Sequence, residues 1–165
     1  MITVAVSGLQ SATAPAPGIE VAICLKATDD VRVVGVDYDP MCTGLYTTDV
    51  FDDVAVVPPP TDWKAFTIHF DELCRKFDLA AFLPGTDLDV KIFSERVDWF
   101  ASRGVDLAVA SPEVLRATSK QGLAMMPEIS GLRLPTSLVL SNAADLEMLE
   151  DLEFPVCVKG RWSGA

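Results

Sequence analysis

Five short apolar runs recur along the first two thirds of the chain. Nearly all are continuous runs of Val, Ala, Leu and Ile without polar alternation, which is typical of strands buried on both faces of a parallel sheet. The predicted strands are residues 2–6, 32–36, 53–57, 79–83 and 105–110.

Between these runs the apolar positions recur at helical spacing, as in the face that carries Phe66 and Phe70. The predicted helices are residues 19–26, 62–77 and 88–103. Strands that alternate with helices in this way predict an α/β fold with a doubly wound, mostly parallel sheet of Rossmann-like type, connected by right-handed crossovers.

The pattern changes after Ser111. Ser111, Pro112 and Glu113 predict the start of a helix or helix pair that reaches about residue 126, because serine caps helices and proline favours their first position. The remaining predicted elements are an extended segment at 132–140, a short helix at 143–152 and a strand at 155–159. We therefore divide the chain into a Rossmann-like domain, 1–111, and a second part, 112–165, that begins another domain.

The composition argues against nucleic-acid-binding and membrane-spanning proteins. Half of the 165 residues are hydrophobic and the formal net charge is -11. So acidic a chain lacks the basic surface that nucleic-acid binding needs. The first strand follows Met1 without a basic leader, and no apolar run approaches the roughly 20 residues that span a bilayer. We expect a cytoplasmic protein that binds neither nucleic acid nor membrane.

Small and acidic residues follow the first and fourth predicted strands. Gly8 lies just after the first strand, and Thr86, Asp87 and Asp89 lie after the fourth. In open α/β sheets ligands bind outside the carboxyl ends of the strands, so the two acids are candidates to hold an amine or to orient a substrate. Equally, they would complement the dipole of the next helix, with Thr86 as its cap. Both interpretations stay open at this point.

The end of the second strand carries Asp37, at the position where a dinucleotide fold binds a ribose. The first loop, however, contains no Gly-x-Gly-x-x-Gly sequence. Dinucleotide binding is therefore not expected, and we expect a structural role for Asp37.

Four stretches, in order, resemble the ATP-grasp superfamily, and in particular the pre-ATP-grasp domain and following segment of the carbamoyl-phosphate synthase large chain. They are Ser7-Gly8 with residues 17–20, residues 83–89, residues 111–113 with 118–120, and residues 154–165. One departure is Ser119, which stands where an acid usually precedes the first nucleotide lysine. The resemblance extends over essentially the whole chain.

The resemblance implies a ligase that forms an acyl phosphate from ATP and a carboxylate, for attack by an amine or ammonia. It implies ATP binding by Lys120, Lys159, Ser163 and Gly164, and a substrate side formed by Gly8, Glu20, Thr86, Asp87 and Asp89. Mg²⁺ would accompany ATP in the full-length parent protein, with ligands downstream, so no metal ligand and no catalytic residue is assigned here. Without the resemblance, both lysines would be interpreted as ordinary surface lysines.

The sequence stops in a turn-rich loop directly after the last predicted strand. We therefore expect an N-terminal segment of a longer enzyme, inactive by itself, whose open sheet edge can pair with a second copy in a homodimer. The alternative is a non-catalytic Rossmann-like module that binds a small molecule or a partner protein.

Overall fold

The computed structural model describes residues 1–10, 16–47, 49–124 and 135–160. The chain forms two compact units, Met1–Ala110 and Ser111–Ala165. Among the residues described, no helix combines the length and the apolar composition that crossing a bilayer requires.

The first unit contains a five-stranded sheet in which every pairing is parallel. Its strands are β1 (Ile2–Val6), β2 (Val31–Asp37), β3 (Asp53–Val56), β4 (Leu79–Leu83) and β5 (Asp106–Leu107). The predicted α/β class and the parallel sheet are therefore confirmed. The last strand is shorter than predicted, because β5 pairs with β4 at only two positions.

The helices of the first unit are α1 (Pro17–Lys26), α2 (Trp63–Phe77), α3 (Asp87–Ser94) and α4 (Val97–Ala101). They pack on the sheet through two separate groups of buried apolar side chains. One group combines α2, α3 and α4 around Phe66, Phe70, Phe82, Phe93 and Phe100. The other combines α1 with the segment that follows β2, which includes a 3-10 helix at Thr43–Tyr46.

The prediction of one continuous helix over 88–103 is wrong, because the helix breaks between α3 and α4. The Phe93 carbonyl accepts the N–H groups of both Glu95 and Arg96, which tightens the turn there. Residues seven apart in one helix are separated by about 10 Å along its axis. The break instead brings the rings of Phe93 and Phe100 to a centroid distance of 5.1 Å within the same core.

The strand order β3-β2-β1-β4-β5 places β2 and β3 on one side of β1, and β4 and β5 on the other. The chain passes outward from β1 through β2 to β3, and then returns to place β4 on the other side of β1. In such sheets the loops after the two strands at the reversal diverge, and they leave a crevice at the carboxyl ends. Here the reversal falls between β1 and β4, so the strand order predicts a binding crevice where these two strands end.

The second unit contains α5 (Pro112–Thr118), α6 (Lys120–Ala124) and a 3-10 helix at Ala143–Asp151. The Ser111 hydroxyl accepts the Val114 N–H, so the predicted helix start is confirmed. The predicted strand at 155–159 is wrong, since the structure has no strand there. A strand needs a neighbour for its backbone groups, and the described part of this unit contains none; Val158 is 88% exposed. Residues 132–134 of the predicted extended segment lie outside the described residues.

Candidate functional site

Three glycines meet where β1 ends, and their backbones are too close to admit a side chain. Gly8 has φ +77°, and a Cβ there would lie 2.7 Å from the Gly85 carbonyl carbon. A Cβ on Gly18 or on Gly85 would overlap the carbonyl oxygen of Ser7. We call Gly8, Gly18 and Gly85 the glycine contact. It joins the end of β1 to the start of α1 and to the loop after β4, and it leaves Gly8 buried.

The first N–H groups of α1 are already paired with protein carbonyls. Pro17 has no N–H, the Gly18 N–H donates to the Gly8 carbonyl at 3.0 Å, and those of Ile19 and Glu20 donate to Ala16. A helix start that binds phosphate needs free N–H groups, so α1 does not provide one. This agrees with the missing glycine-rich motif. The Glu20 side chain is exposed on the first turn of this helix.

The Ser7 hydroxyl connects the loop after β4 to the end of β1 through two hydrogen bonds. Ser7 Oγ donates to Asp89 Oδ2 at 2.7 Å and accepts the Gly85 N–H at 3.2 Å. Thr86 caps α3 by accepting the Asp89 N–H at 3.1 Å, which confirms its predicted capping position. The structure thus brings Gly8, Thr86 and Asp89 together around Ser7. Ser7 was named from sequence only within the first resembling stretch, and its one available signal was its place at the end of a buried strand.

The two candidate acids of this loop differ completely in exposure. Asp87 is exposed on the first turn of α3, whereas Asp89 is 0% exposed. Only Asp87 is therefore placed to meet a ligand from solvent. Asp89 instead lies among hydroxyl groups inside the protein.

Tyr38, at the end of β2, completes the surroundings of Asp89. Its hydroxyl and Asp89 Oδ1 are both shielded from solvent, and neither makes a hydrogen bond of ordinary geometry. Burial raises the pKa of Asp89, and the hydroxyls of Ser7, Tyr38 and Thr86 offset this only in part. Burial, together with the Asp89 charge, also raises the pKa of Tyr38, so the phenol stays protonated. We call Ser7, Tyr38 and Asp89 the hydroxyl–carboxyl cluster.

Asp37 has the structural role expected from the sequence. Its Oδ1 accepts the N–H groups of Tyr38 and Asp39, and its Oδ2 accepts the Leu9 N–H at 3.3 Å. It therefore closes the turn after β2 and holds the loop after β1. The buried Cys42 thiol lies against it, and burial followed by this contact raises the thiol pKa.

The predicted nucleotide-binding residues belong to the second unit. Lys120 is the first residue of α6 and is half-buried, while Lys159 lies in an exposed irregular segment. Ser163 and Gly164 lie outside the described residues. Within the ranges that the structure describes, no group of three or more His, Cys, Asp or Glu side chains could hold a metal ion.

Neither a protein-family model nor a curated protein sequence matches the chain.

Proposed function

We propose that the chain is the N-terminal segment of an ATP-grasp ligase that converts a carboxylate to an acyl phosphate for attack by an amine or ammonia. One observation carries the proposal. The stretch that resembles the substrate side of this family, residues 83–89, ends β4 at the crevice beside β1, where open α/β sheets bind ligands.

In this proposal Asp87 contacts the substrate, because it is the exposed acid at the crevice. An exposed carboxylate favours an ammonium or another hydrogen-bond donor and repels phosphate. Thr86 and Asp89 hold the loop that presents Asp87. Gly8 lets the loop pack against β1, and Glu20 lies on the neighbouring helix start.

Lys120 and Lys159 are the proposed contacts to ATP phosphates. Lysine suits this role as a compact positive charge. The magnesium ion that the resemblance implies would neutralise phosphate charge during transfer. The described residues contain no fitting set of ligands, so no step through that ion is assigned to them. We expect the 165-residue chain to release no ADP from ATP by itself.

The test uses an acylating ATP probe, which transfers its acyl group to lysines close to the bound phosphates. Mass spectrometry then locates the acylated lysines, with and without an excess of ATP as competitor. We expect ATP to protect Lys120 and Lys159 at least about fivefold. Lys64, on the exposed face of α2, is the internal control and should label equally in both samples. Equal labelling of all three lysines in both samples would refute ATP binding by this segment.

A second candidate function is supported by one specific observation. Ser7, Gly85, Asp87 and Asp89 all belong to the first unit, so the crevice needs no side chain from residues 111–165. A Rossmann-like module that binds a small amine without ATP would have this property. A thermal-shift screen of primary amines and amino acids against the full chain tests it, with Asp87→Asn as the binding variant and Glu72→Gln, at an exposed position on α2, as its control. A shift that requires Asp87, together with lysines that ATP does not protect, would favour the module.

A further inference from the structure

The outer edge of β3 has no partner strand in the described part of the chain, because β3 is the first strand in the order of the sheet. Such an edge presents unpaired N–H and C=O groups, and many proteins protect it with lysine, proline or a β-bulge. Residues 53–56 contain no lysine and no proline, and their register with β2 runs without a bulge. This edge is therefore open to pairing with another strand.

Apolar side chains are exposed on one face of this edge, and a groove runs along the other face. Val54 is 42% exposed and Val56 is 47% exposed, and they share one face because alternate residues of a strand point the same way. Ala55 points to the opposite face, against the core beneath α2. On that face a groove of about 290 Å³ lies between β3 and α2, with Glu72 and Lys76 on its helical wall. The edge thus offers side-chain contacts as well as backbone groups.

The charges along this groove cancel, although the chain as a whole carries a net charge of -11. Glu72 and Lys76 lie about one helical turn apart on α2. Both are exposed, and neither forms an ion pair among the residues that the structure describes. Beside them, on β3, Asp53 is paired with Arg32. Two copies of so acidic a chain repel each other across most of their surface, so a locally neutral edge is where they can approach.

The sequence of β3 is complementary to itself in one antiparallel register. Opposite residues of an antiparallel pair lie on the same face of the sheet, and β-branched pairs there stabilise it. A two-fold axis at Ala55 places Val54 of each copy opposite Val56 of the other. An axis at either valine forms one valine pair rather than two, with Asp53 or Val57 opposite Ala55. The register centred on Ala55 therefore buries the most exposed apolar surface.

We propose that β3 pairs antiparallel with β3 of a second copy of the chain, so that the two sheets become continuous across an isologous interface. A two-fold axis normal to the sheet leaves both α2 helices on one face and antiparallel, with Glu72 of each copy toward Lys76 of the other. A second copy fits because the same operation satisfies the valine pairs and the groove charges. The proposal holds whether or not the parent protein is a ligase.

Sedimentation equilibrium of the full 165-residue chain tests for the dimer. The pairing edge is only four residues long and small interfaces are weak, so we expect a monomer–dimer equilibrium over roughly 10 µM to 1 mM. Val54→Lys, which places an unpaired charge in the contact, should weaken dimerisation at least about tenfold. Val97→Lys, at a 41% exposed site on α4 beside the other edge of the sheet, is the matched control and should leave the dissociation constant unchanged.

Charge exchange tests the register and the groove separately. Val54→Lys/Val56→Glu puts opposite charges across the axis, so it should dimerise at least about threefold more tightly than Val54→Lys. Glu72→Lys should weaken the dimer by about threefold or more, and Glu72→Lys/Lys76→Glu should restore it. Because Glu72→Lys also reduces the net negative charge, a mere loss of general repulsion would strengthen association instead. Weakening therefore identifies a specific contact.

Amide hydrogen exchange of the wild type locates the interface without any substitution. Protection of the amides of residues 53–56 that face away from β2 should rise from the dilute to the concentrated sample, whereas the amides of β5 should not change. A wild type that stays monomeric at every concentration would overturn the proposal. So would a dimer in which exchange of β3 does not depend on concentration, or one that tolerates both Val54→Lys and Glu72→Lys.

Discussion

The glycine contact predicts that an added methyl group at Gly8 is costly for two separable reasons. Gly8→Ala places a Cβ at φ +77°, and the same Cβ meets the Gly85 backbone at 2.7–2.9 Å. Gly104→Ala is a matched control, because Gly104 has φ +71° and nothing lies within 4 Å of its added Cβ. Both variants carry the conformational cost, and only Gly8→Ala carries the overlap.

The expected magnitudes follow from these distances. A non-glycine residue in the left-handed region costs about 1–2 kcal/mol, and we expect about 1 kcal/mol for Gly104→Ala. Overpacking costs about a further 1–3 kcal/mol. The overlap at Gly8 is with backbone, which cannot rotate away as a side chain does, so we expect a total near 3 kcal/mol. For a unit of this size that lowers Tm by at least about 10 °C.

Urea unfolding followed by tryptophan fluorescence measures the difference, since Trp63 and Trp99 both contact the aromatic core of the first unit. The midpoint should fall for both variants, and fall further for Gly8→Ala, with an unchanged slope. If Gly8→Ala is no less stable than Gly104→Ala, the backbones at the end of β1 are not in close contact, and the reasoning is refuted.

Two further predictions concern the core and the thiols. Phe93→Ala should lower the free energy of unfolding by about 3–5 kcal/mol in urea titration, because Phe93 is fully buried among aromatic rings. The control is Ile68→Ala, at a 54% exposed site on α2, which should change the free energy of unfolding by about 0.5 kcal/mol or less. A thiol reagent should modify the exposed Cys24 and Cys157 at once, and Cys42, which is 0% exposed and has a raised pKa, only on unfolding. Peptide mass spectrometry locates the modified thiols, and rapid modification of Cys42 would contradict its burial.

The inner strands of the sheet were predictable from sequence because they are continuous apolar runs, a pattern that depends on burial on both faces. The edge strand β3 is also apolar, although Val54 and Val56 are exposed. The α3–α4 break was not predictable, because the apolar spacing of 88–103 is helical throughout and the break depends on ring contacts with Phe66 and Phe82. At 155–159 the error is of the other kind, because the sequence predicts a strand that the structure does not contain. Its residues have high strand propensity, yet propensity does not form a strand without a neighbour.

The location of the candidate site in the fold was predictable from sequence, but the solvent exposure of its side chains was not. The carboxyl ends of β1 and β4 were identifiable from the order of elements, and so were Gly8, Thr86, Asp87 and Asp89. Which acid faces solvent depends on how α3 turns relative to the sheet. That rotation places Phe93 in the aromatic core and Asp89 against Ser7, 82 positions away in sequence, and both contacts are with distant residues. Tyr38 was missed for the same reason, since an aromatic residue after a strand gives no indication of a distant carboxyl neighbour.

The glycine contact and the exposure of Asp87 together restrict the chemistry of any ligand at this crevice. In dinucleotide-binding folds the glycines after β1 let a pyrophosphate approach the start of the first helix. Here glycines let protein backbone occupy that approach, and the first N–H groups of α1 are paired with carbonyls. On the β4 side, Asp87 is an exposed carboxylate on the first turn of α3. That arrangement favours a cation or a hydrogen-bond donor, so phosphates of a nucleotide would have to be bound by cations elsewhere, as proposed for Lys120 and Lys159.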